Sequence, residues 1–431
     1  MSSIINGVSE FVISLSNNYL IFFFILCINS YIFYYLIRRY VYALIDPVTY
    51  LVMSIVVQLS VLIYISIFFI SNKNIEIIIY CYLSNILFIS SFLLAAKKIK
   101  QIDFKLCNNN FFILTKNDHI LFIFSFILFV LAKFYIHIKT GIQIDTDEQL
   151  SYYRTIPYGG FFIRLIYITN TVIIFYCFIK IIFKGFKKSY VYVFLLLFIF
   201  LLDLLSAGKA LLLKYLYYFL IIKFIYSIYN GSKMNINNLL YLFLGIMSFV
   251  ILLIIKNNDI FTSFYNLFYR IIMFGDIYMF VIIGNVLEYL DEYSNGFFVI
   301  IKDFLGFFRI YEWDNLPQEL GNSIFKIVTN SETVKGPNPL HVFFGYYYFG
   351  SIGLLFSIFS GYSLGLIRTK FLTNMTKSFS SLVLFTLIFF AFFSFTIDPS
   401  YGIQQIVNIM FIYIPIYIFI WLVSKIIFLR E

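Results

Sequence analysis

Charge is scarce in this 431-residue chain: Asp, Glu, Lys and Arg together make up 12% of it. Soluble domains carry about twice that fraction. The deficit excludes a soluble globular fold, a disordered chain and a nucleic-acid-binding protein. Cysteine is rarer still, with four residues in all. Cys27, Cys81, Cys107 and Cys177 form no CxxC or CxxH pair, which argues against a disulfide framework or a zinc site. The three histidines, His119, His137 and His341, lie far apart and suggest no metal cluster. No basic n-region with a small-residue cleavage site precedes the first apolar run, so the first span is expected to act as its own uncleaved insertion signal. What fills the chain instead is hydrophobic residue, 62% in all, with 22% aromatic.

A bilayer-crossing helix needs about 20 mostly apolar residues. Such runs fall at 18–37, 47–70, 75–96, 119–138, 161–182, 190–206, 210–229, 238–255, 341–366, 379–397 and 403–423. The segment 4–15 is a weaker twelfth, short and interrupted by Glu10. The chain therefore reads as one membrane domain over 1–431, an all-α polytopic integral membrane protein with eleven or twelve transmembrane helices.

Orientation follows from lysine and arginine in short loops, which stay cytoplasmic. Basic residues follow every odd-numbered span: Arg38 and Arg39; Lys97, Lys98, Lys100 and Lys105; Lys184, Lys187 and Lys188; Lys233; Arg368, Lys370 and Lys377; Lys425 and Arg430. The net charge of +10 is mostly this topology signal. With eleven spans the N-terminus lies outside. Two outer stretches result, a smaller one at 139–160 and a large one at 256–340. The large one holds ten acidic residues against six Lys and Arg. Within it, 271–287 is apolar enough for a span, but a crossing there would export Arg368, Lys370 and Lys377. It is expected to dip into or lie on the membrane, and 297–310 to form an amphipathic interfacial helix. No internal repeat of the secondary-transporter kind is visible.

Ionisable residues near membrane depth are the first places to look for function. Asp203 sits at the outer end of the sixth span, with Lys209 and Lys214 following it. A charge pair snorkelling to the interface is the ordinary reading. The sharper one makes Lys209 an outward phosphate-binding cation. Arg154 and Arg164 lie among Tyr152, Tyr153 and Tyr158 in SYYRTIPYGGFFIRL. Guanidinium forks take phosphate oxygens and aromatic rings stack on sugars, though Tyr and Arg also populate plain membrane interfaces. Arg270, in FYRIIMFGDIYMF, and Arg309, before EWDNLPQEL, are structural anchors or further members of a cationic pocket. His341 stands at the mouth of the ninth span, either a polar anchor or a candidate general base. Gly345, Gly350, Gly353, Gly361 and Gly365 after it suit close helix packing or backbone approach by a ligand.

The run GPNPLHVFFGYYYFGSIGLLFS, leading from a large outer loop into a late span, resembles the Wzy-type O-antigen polymerases. The number of spans and the Phe/Ile/Tyr-rich composition resemble that family too. The resemblance implies an enzyme of the bacterial inner membrane that joins oligosaccharide repeat units carried on undecaprenyl diphosphate at the periplasmic face, making the O-antigen of lipopolysaccharide. It implies no metal, cofactor or nucleotide sugar, and a chain-length regulator as a further partner. On that reading both outer stretches are periplasmic. Arg154, Arg164, Arg270 and Arg309 would bind diphosphate or glycan with support from Lys209, and His341 would be the base. His341 with Gly350 and Gly353 is also similar to the related O-antigen ligases, though more closely spaced, and SAGK offers Lys209 where these families place an arginine. A ligase and a lipid-linked oligosaccharide flippase are the alternatives. The long outer stretch argues against a flippase.

Overall fold

The computed structural model describes residues 2–42, 46–71, 74–102, 114–141, 156–204, 211–229, 272–290, 295–312, 315–330, 336–375 and 377–428. Within them every regular element is helical, and eight helices are long and apolar enough to cross a membrane. The protein is an all-α, multi-pass membrane protein.

Five helices take the places of the first five expected spans: α2 (Tyr19–Ile37), α3 (Val48–Phe68), α4 (Ile75–Ala95), α5 (Lys116–Thr140) and α6 (Gly159–Lys184). The weak twelfth candidate lies in α1 (Ser2–Asn17), whose 16 residues extend about 24 Å, short of a hydrocarbon core about 30 Å thick. The sixth expected span is a 15-residue helix, α7 (Tyr190–Leu204), and the seventh is α8 (Leu211–Tyr229). The expected span at 238–255 lies outside the described residues.

The region after residue 271 departs from simple hydropathy. α9 (Met273–Ile283) combines a 3-10 turn, a short α segment and a π-helix. Ile277 to Ile282 are all buried, so this segment is inserted among other helices and does not lie on the membrane surface. Gly275 abuts Val61 of α3, and Asn74 donates to the carbonyls of Phe69 and Ile282. Irregular backbone at such depth has to be covered by protein.

α10 (Gly296–Phe307) is opened by Asn295, whose side chain accepts from the Phe297 amide. Its buried face is Val299, Lys302, Asp303 and Gly306, while Phe297 is 69% exposed and Ile301, Phe304 and the following Phe308 also face out. An interfacial amphipathic helix of the expected kind would turn its charges to water. Here they point into the protein and the aromatic face is turned outward, as suits an apolar surround.

The expected ninth span, 341–366, is not one continuous crossing. α11 (Leu320–Thr329) is followed by α12 (Leu340–Phe349) and α13 (Gly353–Asn374). In a continuous helix Gly345 and Gly353 would be about 12 Å apart. Instead a Cβ on Gly345 would stand 2.8 Å from the Gly353 carbonyl oxygen. The chain reverses at 350–352, where Gly350 takes φ 55°, a value open to glycine at no steric cost. α12 is therefore a short helix folded back along α13.

α13 in turn runs parallel to α4, in close contact along a row of small residues four apart. Gly353 meets the Tyr80 hydroxyl, Ser357 bonds Ser84, Gly361 lies on the Phe88 carbonyl, Gly365 on that of Phe92, and the Thr369 hydroxyl accepts from the Lys97 amide. Small residues at this spacing let two backbones approach, which drives helix association in lipid. The two helices run in the same direction, as the alternation of basic loops requires of the third and ninth spans. α13 also extends past 366, so Arg368 is in the helix and not in a basic loop. It is 0% exposed, ion-paired with Asp46 at 3.1 Å and bonded to the Tyr40 carbonyl. α14 (Phe379–Ile397) and α15 (Pro399–Ile426) complete the bundle, joined at Asp398, whose carboxylate caps the start of α15.

Candidate functional site

The largest concentration of buried charge among the described residues lies at the end of the bundle remote from the basic loops. Tyr176, late in α6, stacks edge-on against Phe379 at the start of α14, which places the other end of α6 beside the α14–α15 turn. Arg164 sits near that end. Its guanidinium is 3.5 Å from the carboxylate of Asp303 and lies over the Phe307 ring, so α10 is clamped across the top of α6. Gln404 of α15 donates to the same carboxylate oxygen at 3.3 Å. One residue earlier on α10, Lys302 reaches Glu319 at 3.5 Å and the Pro317 carbonyl. Lys302 and Glu319 also act electrostatically on Asp398. Asp303 is 2% exposed, and burial pushes its carboxyl up to about 6, against the pull of Lys302 and Arg164.

The cluster continues sideways through tyrosine. Tyr401, on the first turn of α15, is within electrostatic reach of Asp398 and Glu319 and also of Tyr167 and Tyr218. Tyr401 is nevertheless 45% exposed, so the cluster reaches the protein surface there. The Lys214 ammonium lies 5.0 Å over the Tyr167 ring and 5.7 Å over that of Tyr218. Beyond it, Asp203 is held by Lys133 at 2.7 Å, by the Asn170 amide at 2.6 Å and by the Tyr215 hydroxyl at 3.0 Å. Buried cations, carboxylates and tyrosines from α5, α6, α7, α8, α10 and α15 thus form one polar belt. Such a belt can neutralise a charged head group and stack on sugar rings.

Of the residues expected from sequence, Arg164 is in this belt. Arg309, at the end of α10 with φ 53°, stacks 5.3 Å over the Tyr158 ring just before α6, and so stands beside it. Arg154, Lys209 and Arg270 lie outside the described residues. His341 is elsewhere. Its ring is stacked on Phe88 at 4.3 Å and its Nδ1 is 3.0 Å from the Ser357 hydroxyl, inside the α4–α12–α13 packing. It is 4% exposed, not standing open at the mouth of a span, because α12 folds back and carries it inward. Of the glycines, Gly345, Gly353, Gly361 and Gly365 serve packing and Gly350 the turn.

Sequence reasoning missed Lys302, Asp303, Glu319, Gln404 and Tyr401 as site residues. A Lys–Asp dipeptide in an otherwise apolar 12-residue helix was the available signal, since charge with no polar face around it must turn inward. Nothing local in the sequence marks Gln404 or Tyr401. Among the described residues no group of three or more His, Cys, Asp or Glu side chains is arranged to hold a metal ion. No protein-family model, curated protein or solved structure matches the chain.

Proposed function

We propose that the protein is an O-antigen polymerase, a metal-independent glycosyltransferase that joins undecaprenyl-diphosphate-linked oligosaccharide repeat units at the periplasmic face of the bacterial inner membrane. The observation that carries this reading is the buried belt around Arg164, Asp303 and Lys302, at the end remote from the basic loops and covered by a helix with an outward aromatic face. A lipid-linked donor has an anionic head and a very long apolar tail, so its binding site has to place fixed cations beside a lipid-facing surface. Arg164 and Arg309 meet the first need and Phe297, Ile301 and Phe304 the second. Arg154, Lys209 and Arg270 are assigned to the same ligand from the sequence alone.

The chemistry asks for two things. The bond from the sugar C1 to the diphosphate breaks, and its electron pair leaves with the lipid diphosphate. Fixed guanidinium groups stabilise that charge better than water because they need no reorganisation. The attacking hydroxyl of the incoming unit must be positioned and must lose its proton.

The test is polymerisation by the purified protein in lipid nanodiscs, supplied with a defined lipid-linked repeat unit. Dimers and longer chains are the expected products, and none should form with the Arg164→Ala protein. In cells, loss of the gene is expected to leave single repeat units on the lipid A core. Complete loss of O-antigen from the core would point to a ligase or a flippase and overturn the proposal.

A further inference from the structure

Lys214 is a cation that Asp203 reaches only through space, without direct contact. Both oxygens of the nearest carboxylate, that of Asp203, are taken: Oδ1 by Lys133, Oδ2 by Asn170 and Tyr215. Among the described residues no carboxylate comes within ion-pair distance of the Lys214 ammonium, and its contacts are the faces of Tyr167 and Tyr218. It stands in the first turn of α8, an apolar helix, where an unpaired charge is costly. Aromatic faces offset part of that cost. They also leave the ammonium's three N–H donors free for an acceptor. Tyr401, within electrostatic reach of Tyr167 and Tyr218, is 45% exposed, so the cluster extends to the protein surface.

We infer that Lys214, with Tyr167, Tyr218 and Tyr401, is the anion subsite for the phosphate head of a polyprenyl diphosphate. The inference deepens the proposed function and rests on it for the identity of the lipid. Among the described residues, Lys133 and Lys214 both act on the single carboxylate of Asp203. The Tyr218 hydroxyl is engaged with Thr171 at 3.0 Å, whose own proton goes to the Tyr167 carbonyl, so the rings hold the ammonium in place and its N–H groups are what a phosphate oxygen would meet. A free phosphate would meet the same donors but would gain nothing from the lipid-facing surface, so the two sources separate by affinity.

The experiment measures binding to the full-length protein in nanodiscs, by microscale thermophoresis, of three probes: geranylgeranyl diphosphate, geranylgeraniol and inorganic pyrophosphate. Lys214→Gln is expected to weaken geranylgeranyl diphosphate at least tenfold and leave geranylgeraniol unchanged. Lys214→Arg should stay within about threefold of wild type, because it keeps the charge. Lys223→Gln, about two and a half turns further along α8 and also over aromatic rings, should bind as wild type. Wild-type affinity in Lys214→Gln, or no diphosphate binding by the wild type, overturns the subsite. Pyrophosphate binding as tight as the lipid overturns the lipid assignment. A well-folded Lys214→Arg that binds shows that loss in the Gln variant is not a folding defect. Polymerisation by the same samples separates the two claims. Lys214-dependent binding without wild-type polymerisation leaves the subsite and removes the enzyme reading. Polymerisation with Lys214-independent binding does the reverse.

Discussion

Replacing Arg164 by Met keeps most of the side-chain volume and removes the guanidinium that faces Asp303 at 3.5 Å. Breaking a buried ion pair on one side commonly costs about 3–5 kcal/mol, because a buried charge is left alone. Asp303 has an escape from that fate. Its carboxyl is already raised to about 6 by burial, so it can take up a proton. At pH 7 the folded protein favours the ionised form by about one pKa unit, or about 1.4 kcal/mol. That is the ceiling on the electrostatic loss at pH 7. At pH 8 the ceiling is about 2.7 kcal/mol, and at pH 5, where Asp303 is mostly protonated, it is close to zero. The sign is consistent with linkage. A carboxyl raised above its unfolded value of about 3.9 adds stability at low pH that is lost as pH rises through about 6, and removing Arg164 carries that loss to higher pH. The readout is hydrogen exchange of the α10 amides, corrected for the intrinsic pH dependence of exchange. Arg164→Met should lower their protection most at pH 8, by up to about a hundredfold, less at pH 7, by up to about tenfold, and hardly at all at pH 5. A loss equal at pH 5 and pH 8 would refute the reasoning, since it would show that the guanidinium acts through packing and not through the Asp303 charge.

Two more outcomes follow from the packing of α4, α12 and α13. Gly361→Leu places a side chain on the Phe88 carbonyl and the Ser91 hydroxyl, and should cost about 1–3 kcal/mol or more, read as a lower thermal-inactivation temperature in detergent. Gly160→Ala, whose Cβ meets nothing within 4 Å, is the control and should leave that temperature unchanged. His341→Phe keeps the stack on Phe88 and leaves Ser357 its bond to Ser84. It should fold and retain chain elongation on O-antigen ladders; a folded variant that yields only single repeat units would return His341 to the role of base.

The parts of the fold legible in sequence were those that depend on the solvent. Lipid around a helix demands an apolar run of a certain length, and among the described residues α2 to α8, α14 and α15 stand where hydropathy puts them. Less legible were segments whose surround is protein. α9 and α12 are as apolar as spans, yet one is inserted among helices and the other doubles back, because a helix packed on its neighbours needs no fixed length. The candidate site divides the same way. Arg164 and Arg309 were visible as outward cations between spans. Asp303 was visible as a residue, but its inward direction depends on the aromatic face of α10 finding apolar surroundings.

By itself the sequence determined the class of the molecule, its all-helical character and the alternation of basic loops, since each follows from the transfer of side chains and backbone between water and hydrocarbon. Only the tertiary structure decided which polar groups meet. Arg164 and Asp303 sit on segments distant in sequence, and among the described residues Lys214 has no carboxylate in contact because Lys133, from another helix, holds Asp203. Pairing of that kind is set by how helices pack. Nothing in a local run of residues records it.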